Sequence, residues 1–423
     1  MSLTRRILLA MVLGMIAGLI LNLVIPEGDA GAISWPQQVL VDGLFDTVGQ
    51  VFVNSLKLLV VPLVFVSLVC GTASLGNQNR MGPLAFKTVS LYLATTAVAI
   101  TLAIVAASLI GPGVGMGLEA PASTSVDVGF SLKETLINIF PDNPVAAMAE
   151  GNMLQVIVFS ILFGIALSKS GEAAAPLTEF FNQLNQVVLK MILILMELAP
   201  YGIFCLLAKL FASTGASIFT DLITYFLVML GVLATQCLLV YPALVKGFTG
   251  LPPVMFLRKM YSVMVFGFST ASSNATLPVT LRTVEHRLGV DNKVASFTIP
   301  LGATINMDGT AIMQGVATVF IAQAYGLDVG LAGYLMVVLT ATLASIGTAG
   351  VPGVGMVTLA MVLQQAGLPV EEGIALIIGV DRLLDMVRTA VNITGDAAVT
   401  TVVASSESLL DRQVFTTPDK DLG

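Results

Sequence analysis

The chain has 423 residues, 56% of them hydrophobic and 11% charged, against about 25% charged in an ordinary soluble domain. That composition excludes a soluble globule, and a net charge of −7 carried mostly in loops leaves no basic face for nucleic acid. A lone histidine, His286, and the lack of any HExxH, GxSxG or Walker sequence argue against histidine-based catalysis.

Arg5 and Arg6 precede the apolar run Ile7 to Ile25, which exceeds a signal-peptide h-region and is read as the first span. Val51 to Val69, Leu84 to Ile110 and Asp221 to Lys246 also approach or exceed the roughly 20 residues that cross a bilayer as a helix. Gly111, Gly113, Gly115 and Gly117, with Pro112 among them and no preceding strand, read as an interhelix loop rather than a nucleotide cradle. Cys70, Cys205 and Cys237 lie far apart in apolar segments and read as buried free thiols, with no disulfide or metal site.

Lys and Arg collect in cytoplasmic loops. The basic connections hold Arg5 and Arg6, Arg80 and Lys87, Lys169, Lys246 with Arg258 and Lys259, Arg282 with Arg287 and Lys293, and Arg412 with Lys420. Those are placed inside, with both termini. The acid-rich segment Gly111 to Glu150 and the connections near Gly215, Gly326 and Glu371 are placed outside, so six simple spans carry the chain to Lys246.

Pro253 to Leu281 then has basic residues at both ends, and Leu331 to Leu368 has none at either. Each is expected to enter and return from its own side. Glycine costs about 1 kcal/mol and proline about 3 in a helix interior, so "GTAGVPGVG" reads as one non-helical tip and "STASSNATLP" as the other. Backbone of that kind at membrane depth needs a protein or water surround. Each hairpin is followed by an Asn-x-x-Gly stretch, "TINMDGT" and "TAVNITGD", read as a broken helix. Opposite entry sides and this echo suggest inverted repeats with sites near the midplane.

Gly373 to Val403 is apolar yet contains Asp381, Arg382, Asp385, Arg388 and Asp396, each costing roughly 2.5 to 3.5 kcal/mol at a helix centre. With Asn392, four of these fall on one helical face. On a structural reading, pairs such as Asp385 with Arg388 or Asp381 with Arg382 merely glue helices. On a functional reading, Arg388 offers a planar fork to a carboxylate and Asp385 holds an ammonium, the two ends of an acidic amino acid. Asp396, Asn392, Asn306 and Asp308 are hard oxygen donors suited to a small alkali cation.

These stretches, "SSNATLP", "NMDGT", "GTAGVPGVG" and "DMVRTAVNITGD", resemble the glutamate transporter homologue family of dicarboxylate/amino acid:cation symporters, over essentially the whole chain. The resemblance implies an all-α polytopic membrane protein of the cell inner membrane: a homotrimer whose protomers have eight transmembrane helices, two re-entrant hairpins and an elevator mechanism. It implies scaffold at residues 1–84 and 112–217, moving parts at 85–111 and 218–405, and a cytoplasmic tail at 406–423.

Carried over by motif, Arg388 would take the side-chain carboxylate, Asp385 the amino group, and Asn392 with Ser273 the α-carboxylate. Ser272, Thr310, Thr389 and the backbone of Gly350, Val351, Pro352 and Gly353 would complete the pocket. Sodium would lie at Asp396, Asn306 and Asn392, at Tyr92, Thr95, Thr96, Asn306 and Asp308, and at Thr304 with carbonyls near Ser345, Ile346 and Thr348, with Gly302 and Met307 in the set. The chain departs from the family at Ala271, where archaeal members often carry an arginine, at Met386, where animal members carry it instead, and at Asn274, which replaces a serine; Arg382 lies one turn before Met386. The expected activity is sodium-coupled uptake of aspartate or glutamate, with proton coupling or C4-dicarboxylate transport as alternatives.

Overall fold

The computed structural model describes residues 3–24, 35–76, 82–118, 137, 140–215, 218–345, 350 and 352–417. The described secondary structure is almost entirely helical, as expected where lipid forces each backbone group to find its partner within its own segment. In chain order the helices are α1 (Leu3–Val24), α2 (Asp46–Gly76), α3 (Gly82–Ile110), α4 (Pro144–Glu150), α5 (Met153–Lys169), α6 (Ala175–Met196) and α7 (Ala199–Thr214). There follow α8 (Ile218–Thr235), α9 (Tyr241–Thr249), α10 (Pro253–Thr270), α11 (Ser273–His286), α12 (Asn292–Ile305), α13 (Asp308–Ala324), α14 (Gly330–Ser345), α15 (Val354–Gln365), α16 (Val370–Ser406) and the short α17 (Arg412–Thr416).

Among the described residues, four helical stretches are long and apolar enough to span a bilayer: Arg5–Val24, Gln37–Ala73, Pro83–Ile110 and Asp221–Thr249. A fifth candidate, Gly171–Met196 with Ala199–Thr214, bends by 50° at its break. Two spans contain π-helical turns, Gln37–Phe45 before α2 and Gln236–Val240 between α8 and α9. Of the three thiols, Cys205 and Cys237 are buried, whereas Cys70 is only half-buried.

The helices pack in two groups. In one, α1 lies along α7, and α2 packs on α5, α6 and α7. In the other, α16 is the axle, contacted by α8, α9, α10, α12 and α13, while α3 lies against α13 and α14. The groups meet where α15 touches α2 and α16 touches α7. Gly113 shows how closely the second group is packed: a Cβ there would stand 2.4 Å from the Phe320 carbonyl oxygen on α13. The chain beyond α16 folds back onto α10, where buried Lys259 donates to the carbonyls of Arg287 (2.8 Å) and Val414 (2.7 Å).

Two expectations about helix breaks are corrected. The first hairpin turns in only two residues, because Ala271 adopts a left-handed cap (φ 49°) and Ser272 starts the next helix by accepting a hydrogen bond from the Ala275 amide. The rest of "STASSNATLP" is helical, and Pro278 sits inside α11 at the loss of one ladder bond. Secondly, α16 runs unbroken through "TAVNITGD". Nothing there removes an amide, and the glycine penalty of about 1 kcal/mol is easily outweighed by burial of almost that whole segment. Only "TINMDGT" breaks, at Asn306 and Met307. Ile346, Gly347, Thr348, Ala349 and Val351 of the second tip lie outside the described residues.

Candidate functional site

The polar face of α16 carries a buried quartet of charges. The Arg388 side chain is 1% exposed; its Nη1 donates to Asp381 Oδ1 at 2.7 Å and its Nη2 to Asp385 Oδ1 at 2.9 Å. Arg382 Nη1 reaches the other Asp385 oxygen at 3.2 Å. The partners are three or seven residues apart on one helix, so these three pairs join no two helices. Two aspartates and two arginines sum to zero. The pairing also differs from the sequence expectation, since Arg388 bridges both carboxylates and Asp381 is drawn into the set.

The two hairpin tips bond to each other, and the second adjoins this quartet. Ser272 Oγ donates to the Gly350 carbonyl at 2.7 Å, and the Asn274 amide donates to the same oxygen at 3.1 Å. Ser273 is beside them, with its Cβ 3.0 Å from where a Gly350 Cβ would stand. At Gly355 an added Cβ would lie 3.3 Å from Arg388 Nη2 and 3.5 Å from the Thr310 methyl, which places both tip and Thr310 against the guanidinium. Thr389 donates to the Asp385 carbonyl at 2.9 Å and so spends its hydroxyl within α16. Gly353, left-handed at φ 87°, faces Met196. A cavity of about 30 Å³ separates Gly353, Asp381, Arg382 and Asp385 from Ile7 and Met196 of the other helix group. That is room for about one water molecule.

A second polar cluster holds two further carboxylates, Asp308 and Asp396. The broken helix exposes the first amides of α13, whose own cap residue Met307 offers no acceptor. Asn392 of α16 supplies one: its Oδ1 accepts from the Gly309 amide at 2.7 Å, and its Nδ2 approaches Met307 Sδ at 3.2 Å. Asn306 Nδ2 donates to Asp396 Oδ1 at 2.9 Å, and Thr95 Oγ1 lies 3.4 Å from Asn306 Oδ1. Asp308 accepts from Thr96 Oγ1 at 2.6 Å on one oxygen, and from Tyr241 Oη at 2.8 Å and Gln236 Nε2 at 3.2 Å on the other. Tyr92 donates to the Thr298 carbonyl at 3.0 Å, with Gly302 close by.

Thus Tyr92, Thr95, Thr96, Gly302, Asn306, Asp308 and Asp396 come together. Thr304 does not join through its hydroxyl, which is bonded to the Leu301 carbonyl of its own helix at 2.8 Å. Ser345 ties α14 to the break, donating to the Ile305 carbonyl at 3.1 Å. Among the described residues neither Asp308 nor Asp396 forms an ion pair. Two buried carboxylates without a basic partner call for cations or protons, since isolated charge at this depth is costly. Gln236 and Tyr241 were not singled out by sequence reasoning; they sit in a plain apolar run, and only the π-helical turn distinguishes them.

Gly302 tests the cluster. A Cβ there would stand 2.5 Å from Asp396 Oδ1 and 2.6 Å from Tyr92 Oη. Gly302→Ala is expected to lower ion-driven uptake at least about tenfold, measured in proteoliposomes, while Gly231→Ala on α8, with open space around its Cβ position and ordinary helical backbone, serves as a control for insertion and folding.

The family model described as the sodium:dicarboxylate symporter family matches residues 3–406. The chain belongs to that family. Similar proteins include a "Proton/glutamate-aspartate symporter" of Escherichia coli, 34% identical over 97% of this chain and 94% of its own. An "Excitatory amino acid transporter" of Caenorhabditis elegans is 36% identical over 82% of this chain and 78% of its own. A "Proton/sodium-glutamate symport protein" of Geobacillus stearothermophilus is 32% identical, with coverages of 85% and 87%. The family consists of symporters, so this multi-pass membrane protein is a transporter and not an enzyme.

Proposed function

We propose that this chain takes up L-aspartate or L-glutamate together with sodium. The observation that carries the reading is the buried Arg388 fork beside the second hairpin tip, held by Asp381 and Asp385. A guanidinium there exchanges an internal carboxylate for the substrate's side-chain carboxylate, and the released Asp385 takes the ammonium. Asn392 and Ser273 with Ser272, Thr310, Thr389 and the Gly350 to Gly353 backbone complete the substrate pocket on this reading.

Charge balance links substrate to ion. The empty quartet is neutral, and an acidic amino acid adds one negative charge, so entry requires a cation nearby. Asp308 and Asp396, with the Tyr92, Thr95, Thr96 and Asn306 oxygens, supply the hard-donor set that suits sodium. A C4-dicarboxylate would leave Asp385 with no ammonium to hold.

The resemblance further suggests a homotrimer of eight-helix, two-hairpin protomers in the cell inner membrane, with the α3 and α8–α16 group as the elevator. Placing the Arg5 and Arg6 end inside puts Gly353 and Asp385 at the cytoplasmic end, beside Ile7 and Met196. Lys57, eleven residues into α2 and roughly 16 Å from its start, pairs with Glu371 at the start of α16 at 2.7 Å. Both features fit an inward-displaced carrier.

Radiolabelled L-aspartate uptake into proteoliposomes, under an inward sodium gradient or an inward proton gradient, tests the reading. Sodium-driven uptake is expected. Uptake driven by protons alone replaces sodium with protons at Asp308 or Asp396, and succinate competing as well as aspartate replaces the substrate class.

A further inference from the structure

The π-helical turn between α8 and α9 is bounded by two fully buried polar residues, Gln236 at its start and Tyr241 just after its end. Both donate to the same atom, Asp308 Oδ2, at 3.2 and 2.8 Å. A π-helical turn inserts one extra residue per turn and re-aims the side chains at its ends, and such turns concentrate at functional sites. In a regular helix residues five apart stand about 140° apart, so Gln236 and Tyr241 would diverge instead of meeting at one oxygen.

A second observation points to a ligand. Gln236 Oε1 is buried and has no hydrogen-bond partner, although Nε2 of the same amide is engaged. Turning the amide about its last torsion exchanges the two atoms and presents Oε1 to the Asp308 side. The donor set there would then hold one carboxylate with the amide oxygens of Gln236 and Asn306 and the hydroxyls of Thr95 and Thr96. One negative charge among neutral oxygens suits a monovalent alkali cation, whereas a divalent ion wants more carboxylates.

We propose that Gln236 is a ligand of the cation at Asp308, its amide turning as the ion arrives, and that Tyr241 is a positioning residue that fixes the Asp308 carboxylate. This rests on the sodium reading given above. The π-helical turn thereby makes α8 and α9 part of the ion site.

The test is aspartate binding to the purified full-length chain, titrated with sodium and separately with lithium, for the parent, Gln236→Leu, Gln236→Glu and Tyr241→Phe. For Gln236→Leu the half-saturating sodium concentration is expected to rise about tenfold or more, with aspartate affinity recovered at saturating sodium. Tyr241→Phe should shift it in the same direction by less. If the leucine variant fails to fold, the nearly isosteric glutamate variant decides: its sodium-to-lithium affinity ratio should differ from the parent's by about tenfold. A half-saturation and ion ratio equal to the parent's in the folded variants overturns the ligand role while leaving the sodium reading intact. Sodium-independent aspartate binding in the parent overturns both.

Discussion

Arg388→Ala is expected to abolish acidic amino acid uptake, a loss of at least about a hundredfold, and also to destabilise the protein. The two effects have different causes. Uptake fails because, among the described residues, no other guanidinium pairs with both Asp381 and Asp385. Stability falls because those two carboxylates lose their shared counter-charge, and breaking a buried pair from one side costs about 3–5 kcal/mol. The double variant Asp381→Ala with Arg388→Ala removes one charge of each sign and leaves Asp385 with Arg382 at 3.2 Å. It should regain much of the thermal stability in detergent and none of the uptake. Arg388→Lys keeps the charge but not the fork, and should remain far below the parent in uptake. A double variant that transports would remove Arg388 from the pocket.

Asp396→Asn should cost the ion coupling without costing the fold. Asp396 receives one side-chain donor, Asn306 Nδ2 at 2.9 Å, and is 2% exposed. A neutral amide oxygen still accepts that bond, and a buried charge that lacked a counter-charge is gone. In ion-free buffer the variant should melt no lower than the parent, while the half-saturating cation concentration for uptake rises at least about tenfold, since affinity follows the charge of the ligand set. Asp308→Asn should behave differently. Three donors converge on that carboxylate, from Thr96, Tyr241 and Gln236, and an amide nitrogen in their midst faces other donors. Loss of stability is expected there along with loss of coupling, because a buried donor is left without an acceptor. Equal melting temperatures for the two variants would contradict this division between a poorly solvated and a well solvated carboxylate.

Much of the candidate site was legible because it is made of residues that membranes penalise. Asp381, Asp385, Arg388, Asn392 and Asp396 stand out in an apolar segment, and their spacing names one helical face. The break between α14 and α15 was legible from glycine and proline. The extent of the first tip was not, since a left-handed alanine at 271 and a capping serine at 272 turn the chain in two residues, which propensity does not reveal. The unbroken run of α16 through Asn392 and Gly395 was misjudged because a short motif carries less weight than the packing of a buried helix. Gln236 and Tyr241 gave no signal: a glutamine and a tyrosine in an apolar span fit any helix, and their convergence depends on one turn of irregular backbone. The partner of Arg388 was ambiguous for a related reason, since three carboxylates stand within eight residues of it along the same face and only side-chain geometry selects two.

The cancellation of charge within the α16 quartet bears on how the membrane voltage acts. On the proposed reading the empty carrier returns with its quartet neutral, which leaves Asp308 and Asp396 as carboxylates without a counter-charge in its interior. Where both are ionised, they contribute two negative charges, and each elementary charge crossing the full field gains or loses about 2.3 kcal/mol per 100 mV. A cell interior held negative drives such a body outward. The resting voltage then does work on the reset step as well as on the entry of sodium, and the reset rate becomes an electrical quantity, set by two side chains that never touch the amino acid.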